Sequence, residues 1–118
     1  MLGGNIKRIN TILYCRNWDT TVQFYRNELK LVVDHEKEWF VEFRLAGNTY
    51  LSIANADRTS IKSSNGDGIT LSLQVEDVDD MHRRLREAGL ETGPIKPVWN
   101  ARAFYIFDPE GHRIEIWS

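Results

Sequence analysis

The sequence has one cysteine, Cys15, in 118 residues. A lone cysteine excludes an internal disulfide and a cysteine-built zinc site. Nothing beside Cys15 argues for a lowered thiol pKa, so it reads as a small buried residue. An excess of charge of one sign is also missing. Fifteen Lys and Arg against 17 Asp and Glu leave a formal net charge of −2, which gives no electrostatic reason to expect nucleic acid or an anionic membrane as partner. No apolar run approaches the length of a transmembrane helix, and the N-terminus lacks an apolar signal-peptide core. The expected location is therefore the cytoplasm. The three histidines, His35, His82 and His112, stand at no metal-motif spacing from one another. No phosphate-binding glycine loop, Ser-His-Asp arrangement or interleaving of basic and aromatic residues is visible.

What is present is ordinary for one soluble domain with a real core: 42% hydrophobic and 27% charged residues. Four tryptophans are many for so short a chain, and they imply that at least one lines a ligand surface. Trp39, Trp99 and Trp117 are the candidates for stacking on a planar ligand. Trp18, near a helix start, reads as packing or dimer surface.

Taken in order, Ile6 to Tyr14 reads as a strand. Asn17 or Asp19 offers an N-cap, and Val22, Phe24, Tyr25, Leu29 and Leu31 form a helical stripe. Val32 to Glu38, Trp39 to Leu45 and Thr49 to Ala54 read as three further strands. Residues 55 to 67 are polar and turn-rich. Ile69 to Val75 alternates strictly, as a half-buried strand does. Glu76 and Asp77 open a second helix with acids in its first turn. Val78, Met81, Leu85 and Ala88 form its buried stripe, and Gly89 stops it. Pro94 to Trp99 carries two prolines and reads as an edge strand. Ala103 to Trp117, close to the C-terminus, form two strands about the turn Asp108-Pro109-Glu110-Gly111, where the Asp108 side chain can accept from backbone amides. The order β-α-β-β-β thus occurs twice.

The closing run Asp108-Pro109-Glu110-Gly111-His112-Arg113-Ile114-Glu115-Ile116 resembles the vicinal oxygen chelate superfamily of glyoxalases, bleomycin resistance proteins and extradiol dioxygenases. The segments Asn17 to Leu31 and Asp77 to Gly89 carry further matches. The resemblance implies an α+β fold in which two β-α-β-β-β modules form a curved mixed sheet, helices outside and a cleft inside. The expected division is one domain, 1–118, with module one at 1–56, a linker at 57–66 and module two at 67–118. The resemblance also implies a homodimer.

Period-two parity assigns the strand faces. Val41, Phe43, Leu45, Leu51, Ile53, Ile69, Leu71, Leu73, Phe104, Ile106, Ile114 and Ile116 should lie under the helices. Phe40, Glu42, Arg44, Tyr50, Ser52, Thr70, Ser72, Gln74, Tyr105, Phe107, Arg113, Glu115 and Trp117 should line a polar and aromatic wall. Matching the first strand to the resembled family places Thr11, Leu13 and Cys15 on that wall. The expected ligand-binding set is Thr11, Glu42, Arg44, Tyr50, Ser52, Thr70, Ser72, Gln74, Trp99, Tyr105, Arg113, Glu115 and Trp117. Glu42 and Arg44 read as a neutralised pair on one strand.

In the resembled family a divalent metal is held by His, Glu or Gln at positions that fall here on Thr11, Ser52, Thr70 and Glu115. Only Glu115 is a good ligand, since neutral hydroxyls do not replace imidazole or carboxylate. No metal and no other cofactor is therefore expected. Glu115 is the best catalytic candidate, as a general base if burial raises its pKa, and otherwise anchors a cationic group or sits in a structural ion pair. The expected function is metal-independent binding of an aromatic or cationic small molecule, of the bleomycin-resistance type. The alternative is a glyoxalase-like lyase or isomerase, or a dioxygenase, holding Zn, Ni, Mn or Fe.

Overall fold

The computed structural model describes residues 1–118, which form two compact units, Met1–Ser64 and Asn65–Ser118. Each unit carries one four-stranded mixed sheet and an α-helix, so the chain is α+β. The division falls within the stretch read as a linker.

The first unit contains β1 (Ile9–Cys15), α1 (Trp18–Gln23), β2 (Val32–Lys37), β3 (Phe40–Ala46) and β4 (Thr49–Asn55), in the sheet order β1-β4-β3-β2. β1 begins later than the sequence suggested because its parallel partner begins at Thr49, which pairs with Ile9. α1 is short. A π-helical turn over Phe24–Glu28 extends it, with the Leu29 amide donating to the Phe24 carbonyl at 2.9 Å. The Asn17 carbonyl accepts from both the amide (3.0 Å) and the hydroxyl (2.7 Å) of Thr21, which ties down the start of α1. Lys30, at φ +58°, reverses the chain into β2. Val22, Phe24 and Tyr25 are buried, as are Leu13, Val41, Phe43, Leu51 and Ile53 on the sheet. Each such side chain stabilises the fold by roughly 1.5–3 kcal/mol. Trp18 belongs to the packing, its indole N–H donating to the Ile53 carbonyl at 2.9 Å.

The second unit contains β5 (Thr70–Gln74), α2 (Val78–Glu87), β6 (Lys96–Val98), β7 (Ala101–Phe107) and β8 (Arg113–Trp117), in the order β5-β8-β7-β6. The Asp77 carboxylate caps α2 by accepting from the Asp80 amide at 3.1 Å. Val78, Leu85, Phe104, Ile106, Ile114 and Ile116 form the core. β6 is an edge strand of three residues, as Pro97 requires.

The turn before β8 is more deeply built than the sequence suggested. Asp108 Oδ1 accepts from the amides of Glu110 (3.0 Å) and His112 (2.9 Å), and Oδ2 meets His112 Nδ1 at 2.7 Å. Asp108, Glu110 and His112 are all buried. His112, in sequence only a histidine at no metal-motif spacing, is an internal brace. His82 is also held, with Nε2 2.9 Å from the Gly93 carbonyl and its ring edge-on to Phe104. His35 is exposed on the edge strand β2.

One face assignment is corrected. Cross-strand partners in a ladder share a face. Thr11 pairs with Leu51, which pairs with Phe43, and Leu13 pairs with Ile53, which pairs with Val41. Thr11, Leu13 and Cys15 therefore lie on the apolar helix side, and Asn10, Ile12 and Tyr14 lie on the polar side. Matching to a family misread a strand whose own alternation is weak.

Candidate functional site

The polar face of the second unit centres on Glu115 in β8, flanked by β5 and β7. Its register partners are Ser72 and Tyr105. Ser72 Oγ donates to Glu115 Oε1 at 2.6 Å, and the Tyr105 hydroxyl donates to Oε2 at 2.9 Å. These two bonds, Ser72 first, hold the Glu115 carboxyl below its usual pKa, and nearby Arg113 adds to them against the opposing effect of burial. The same bond pushes the Tyr105 phenol up, because losing its proton would set two anions side by side. Arg113 does not pair with Glu115. Its Nε donates to Thr70 Oγ1 at 3.0 Å, and its guanidinium carbon lies 4.8 Å from the centre of the Tyr105 ring. Glu115 is thus an anion whose partners are hydroxyls rather than a cation.

Beside it lies a cavity of about 400 Å³ lined by Val98, Trp99, Asn100, Ala101, Glu115 and Trp117. Trp117 follows from β8 alternation. Trp99 sits at the tip of the β6–β7 hairpin, between the paired residues Val98 and Ala101, at φ +55° and 97% exposed. Gln74 lies in the same row as Trp117, at the end of β5. It lines instead a hollow of about 930 Å³ with Glu76, Asp77 and Asp80. Two of the three acids there are engaged, Asp77 as the cap of α2 and Asp80 in an ion pair with Arg83.

The first unit has a different arrangement on its polar face. Glu42 pairs with Arg8 at 3.1 Å, not with Arg44, whose Nε donates to the Gly47 carbonyl at 3.1 Å. The pair expected within β3 does not form: Arg44, in register with Tyr50 near the end of β3, turns to the Gly47 carbonyl of the turn, and Arg8 takes the Glu42 carboxylate. Tyr50 carries the Arg8 guanidinium over its ring at 3.8 Å. Ser52, fully buried, donates to Asn10 Oδ1 at 2.7 Å, and Asn10 Nδ2 donates to Glu42 Oε1 at 3.3 Å. Arg8 and Asn10 were missed from sequence. Nothing in the sequence would have found them, since only the pairing of β1 with β4 puts Asn10 beside Tyr50 on this face.

The model of the Glyoxalase/Bleomycin resistance protein/Dioxygenase superfamily matches residues 6–116. The chain belongs to that superfamily. Among solved structures it is similar to a lactoylglutathione lyase from Agrobacterium tumefaciens, with 20% identity, a TM-score of 0.77, and coverage of 94% of this chain and 92% of that one. A glyoxalase/bleomycin resistance protein/dioxygenase from Nocardioides gives 22% identity, TM-score 0.79, and coverage of 95% and 82%. The oxidase ChaP-H1 gives 22% identity, TM-score 0.71, and coverage of 96% and 95%. These likenesses show the shared fold. Among curated proteins none matches.

A glyoxalase-superfamily fold raises the question of a divalent metal, and the donors present do not fit one. Thr11 lies on the helix side. Ser52 is closed off by Asn10, Thr70 is engaged by Arg113, and each Glu115 oxygen already accepts a hydroxyl proton. No three His, Cys, Asp or Glu side chains converge. One carboxylate among hydroxyls, with a guanidinium nearby, is a poor cage for a doubly charged ion. The lowered Glu115 pKa also argues against the general-base role, which needs a raised one.

Proposed function

We propose that this superfamily member is a metal-independent small-molecule binding protein of the bleomycin-resistance type, which holds an aromatic cation against Glu115, Trp99 and Trp117. The reading rests on one observation above the others: Glu115 is kept ionised by Ser72 and Tyr105, without a bonded cation, at the edge of a tryptophan-lined cavity. An anion prepared in this way favours a positive ligand, and the indoles suit a planar one. A homodimer is part of the same proposal.

Benzamidinium, a flat aromatic cation, is the probe. Its titration should quench tryptophan fluorescence saturably, and Glu115→Gln should weaken it at least about tenfold, the effect of losing about 1.4 kcal/mol. Unchanged affinity in Glu115→Gln would overturn the reading. Metal analysis separates the alternative: a stoichiometric transition metal, lost in Glu115→Ala, would point to a lyase or dioxygenase. Sedimentation gives the oligomeric state.

A further inference from the structure

The polar face of the first unit carries the parts of a second organic-cation site, with the cation supplied by the chain itself. Glu42 has a side chain only 10% exposed, whereas that of its partner Arg8 is 45% exposed. The carboxylate belongs to the strand; the guanidinium reaches it from the rim. Arg8 lies just before β1, outside the ladder that begins with Ile9 and Thr49. Beneath the guanidinium are the three groups that recognise such a cation: a carboxylate at 3.1 Å, the face of Tyr50 at 3.8 Å, and Asn10, whose amide fixes the other carboxylate oxygen at 3.3 Å. Fully buried Ser52 in turn orients Asn10 at 2.7 Å. A cation stacked on an aromatic ring and paired to a desolvated carboxylate is a recurrent recognition geometry.

We propose that Glu42, Tyr50 and Asn10 form an organic-cation site of which Arg8 is the tethered occupant, so that a free guanidinium enters only when Arg8 swings out. The structural elements are fixed in the sheet, and the occupant is the exposed member attached through a segment outside it. Binding of an external cation there competes with an intramolecular one, whose effective concentration sets the penalty. The inference uses first-unit residues alone and stands apart from the reading of Glu115.

The test uses methylguanidinium in a Glu115→Gln background, which silences the carboxylate of the second unit, with sodium chloride at matched ionic strength as control. In Arg8→Ala/Glu115→Gln the thermal midpoint should rise saturably with methylguanidinium. Apparent affinity should exceed that of Glu115→Gln alone by at least about tenfold, as removal of a tethered competitor requires. Adding Glu42→Gln should abolish the rise, and adding Tyr50→Leu should weaken it. If Arg8→Ala/Glu115→Gln does not fold in sodium chloride, its refolding should be recovered by methylguanidinium. No saturable rise and no recovery, or a rise that survives Glu42→Gln, would overturn the proposal.

Discussion

Replacing Trp99 with glycine should make the protein more stable and a poorer binder. Trp99 stands at φ +55° in a two-residue hairpin connection, where a side chain with a Cβ is disfavoured. The left-handed conformation costs an L-residue roughly 1–2 kcal/mol. An indole 97% exposed recovers almost none of that through burial. Glycine removes the steric cost but adds roughly 0.5–1 kcal/mol of backbone entropy lost on folding. The difference favours Trp99→Gly by about 0.5–1 kcal/mol, or a rise of about 2–5 °C in midpoint for a domain of this size. Urea and thermal unfolding measure it directly. Benzamidinium titration of the same variant should show weakened binding, because one wall of the cavity is gone. A strained residue retained at a hairpin tip is the mark of a local rule broken for function. A variant less stable than the parent would refute the strain argument. A variant more stable but equally good at binding would leave the strain intact and remove Trp99 from the site.

Three further outcomes are expected. Ser72→Ala with Tyr105→Phe should raise the Glu115 pKa towards its ordinary value, because the two bonds that depress it are gone. The sign follows: a depressed carboxyl stabilises the fold above its unfolded pKa of about 4.3 and loses that contribution as pH falls through the folded value, so the double variant should lose the depressed-pKa contribution, measured by NMR titration with acid unfolding. Gly66→Ala should be severely destabilising, since a Cβ there would lie 2.2 Å from the Gly111 backbone at φ +81°; the left-handed cost alone is about 1–2 kcal/mol, and urea midpoints check it. His112→Ala strips a buried partner from Asp108 and should cost at least about 1–3 kcal/mol by the same assay, with Phe107 and Arg113 losing their ladder first in hydrogen exchange.

The order of strands and helices was legible because alternation is strict where it matters. Ile114 and Ile116 against Glu115 and Trp117, or Val41 and Phe43 against Glu42, leave no ambiguity of face. β1 was not legible. Ile9, Ile12, Leu13 and Cys15 place apolar residues on both parities, and only pairing with Leu51 and Ile53 decides between them. The Glu115 environment was half legible: parity brought Ser72, Tyr105 and Arg113 to its face, but not which of them would bond it. Hydroxyls did, and Arg113 turned to Thr70. The Arg8 contact was out of reach, because Ile6 to Tyr14 read as one strand with Thr11 on the wall, which put Arg8 on the opposite parity, whereas the ladder begins only at Ile9 and lets Arg8 turn to Glu42. The brace from His112 to Asp108 was hidden for a related reason, since spacing alone does not show that a turn is buried.

The two units reveal what the repeat keeps and what it lets change. In each sheet a carboxylate occupies the row shared by the two central strands: Glu42 opposite Ser52 in the first, Glu115 opposite Tyr105 in the second. The acid sits on β3 in one unit and on β8 in the other, so the common feature is the row rather than the strand. An acid on a polar face needs its charge answered, and the units answer it by different means. Arg8 brings a full opposite charge to Glu42, whereas Ser72 and Tyr105 bring only dipoles to Glu115. Dipoles keep a carboxylate ionised without neutralising it, so the field of Glu115 extends into the cavity beside Trp117, while that of Glu42 is closed by its own chain. It follows that exchanging the two solutions should exchange the behaviour: Arg8→Ala should give the first unit an unanswered acid, and Ser72→Arg should close the second. If benzamidinium binding survives Ser72→Arg in a folded protein, the charge of Glu115 is not what draws the ligand.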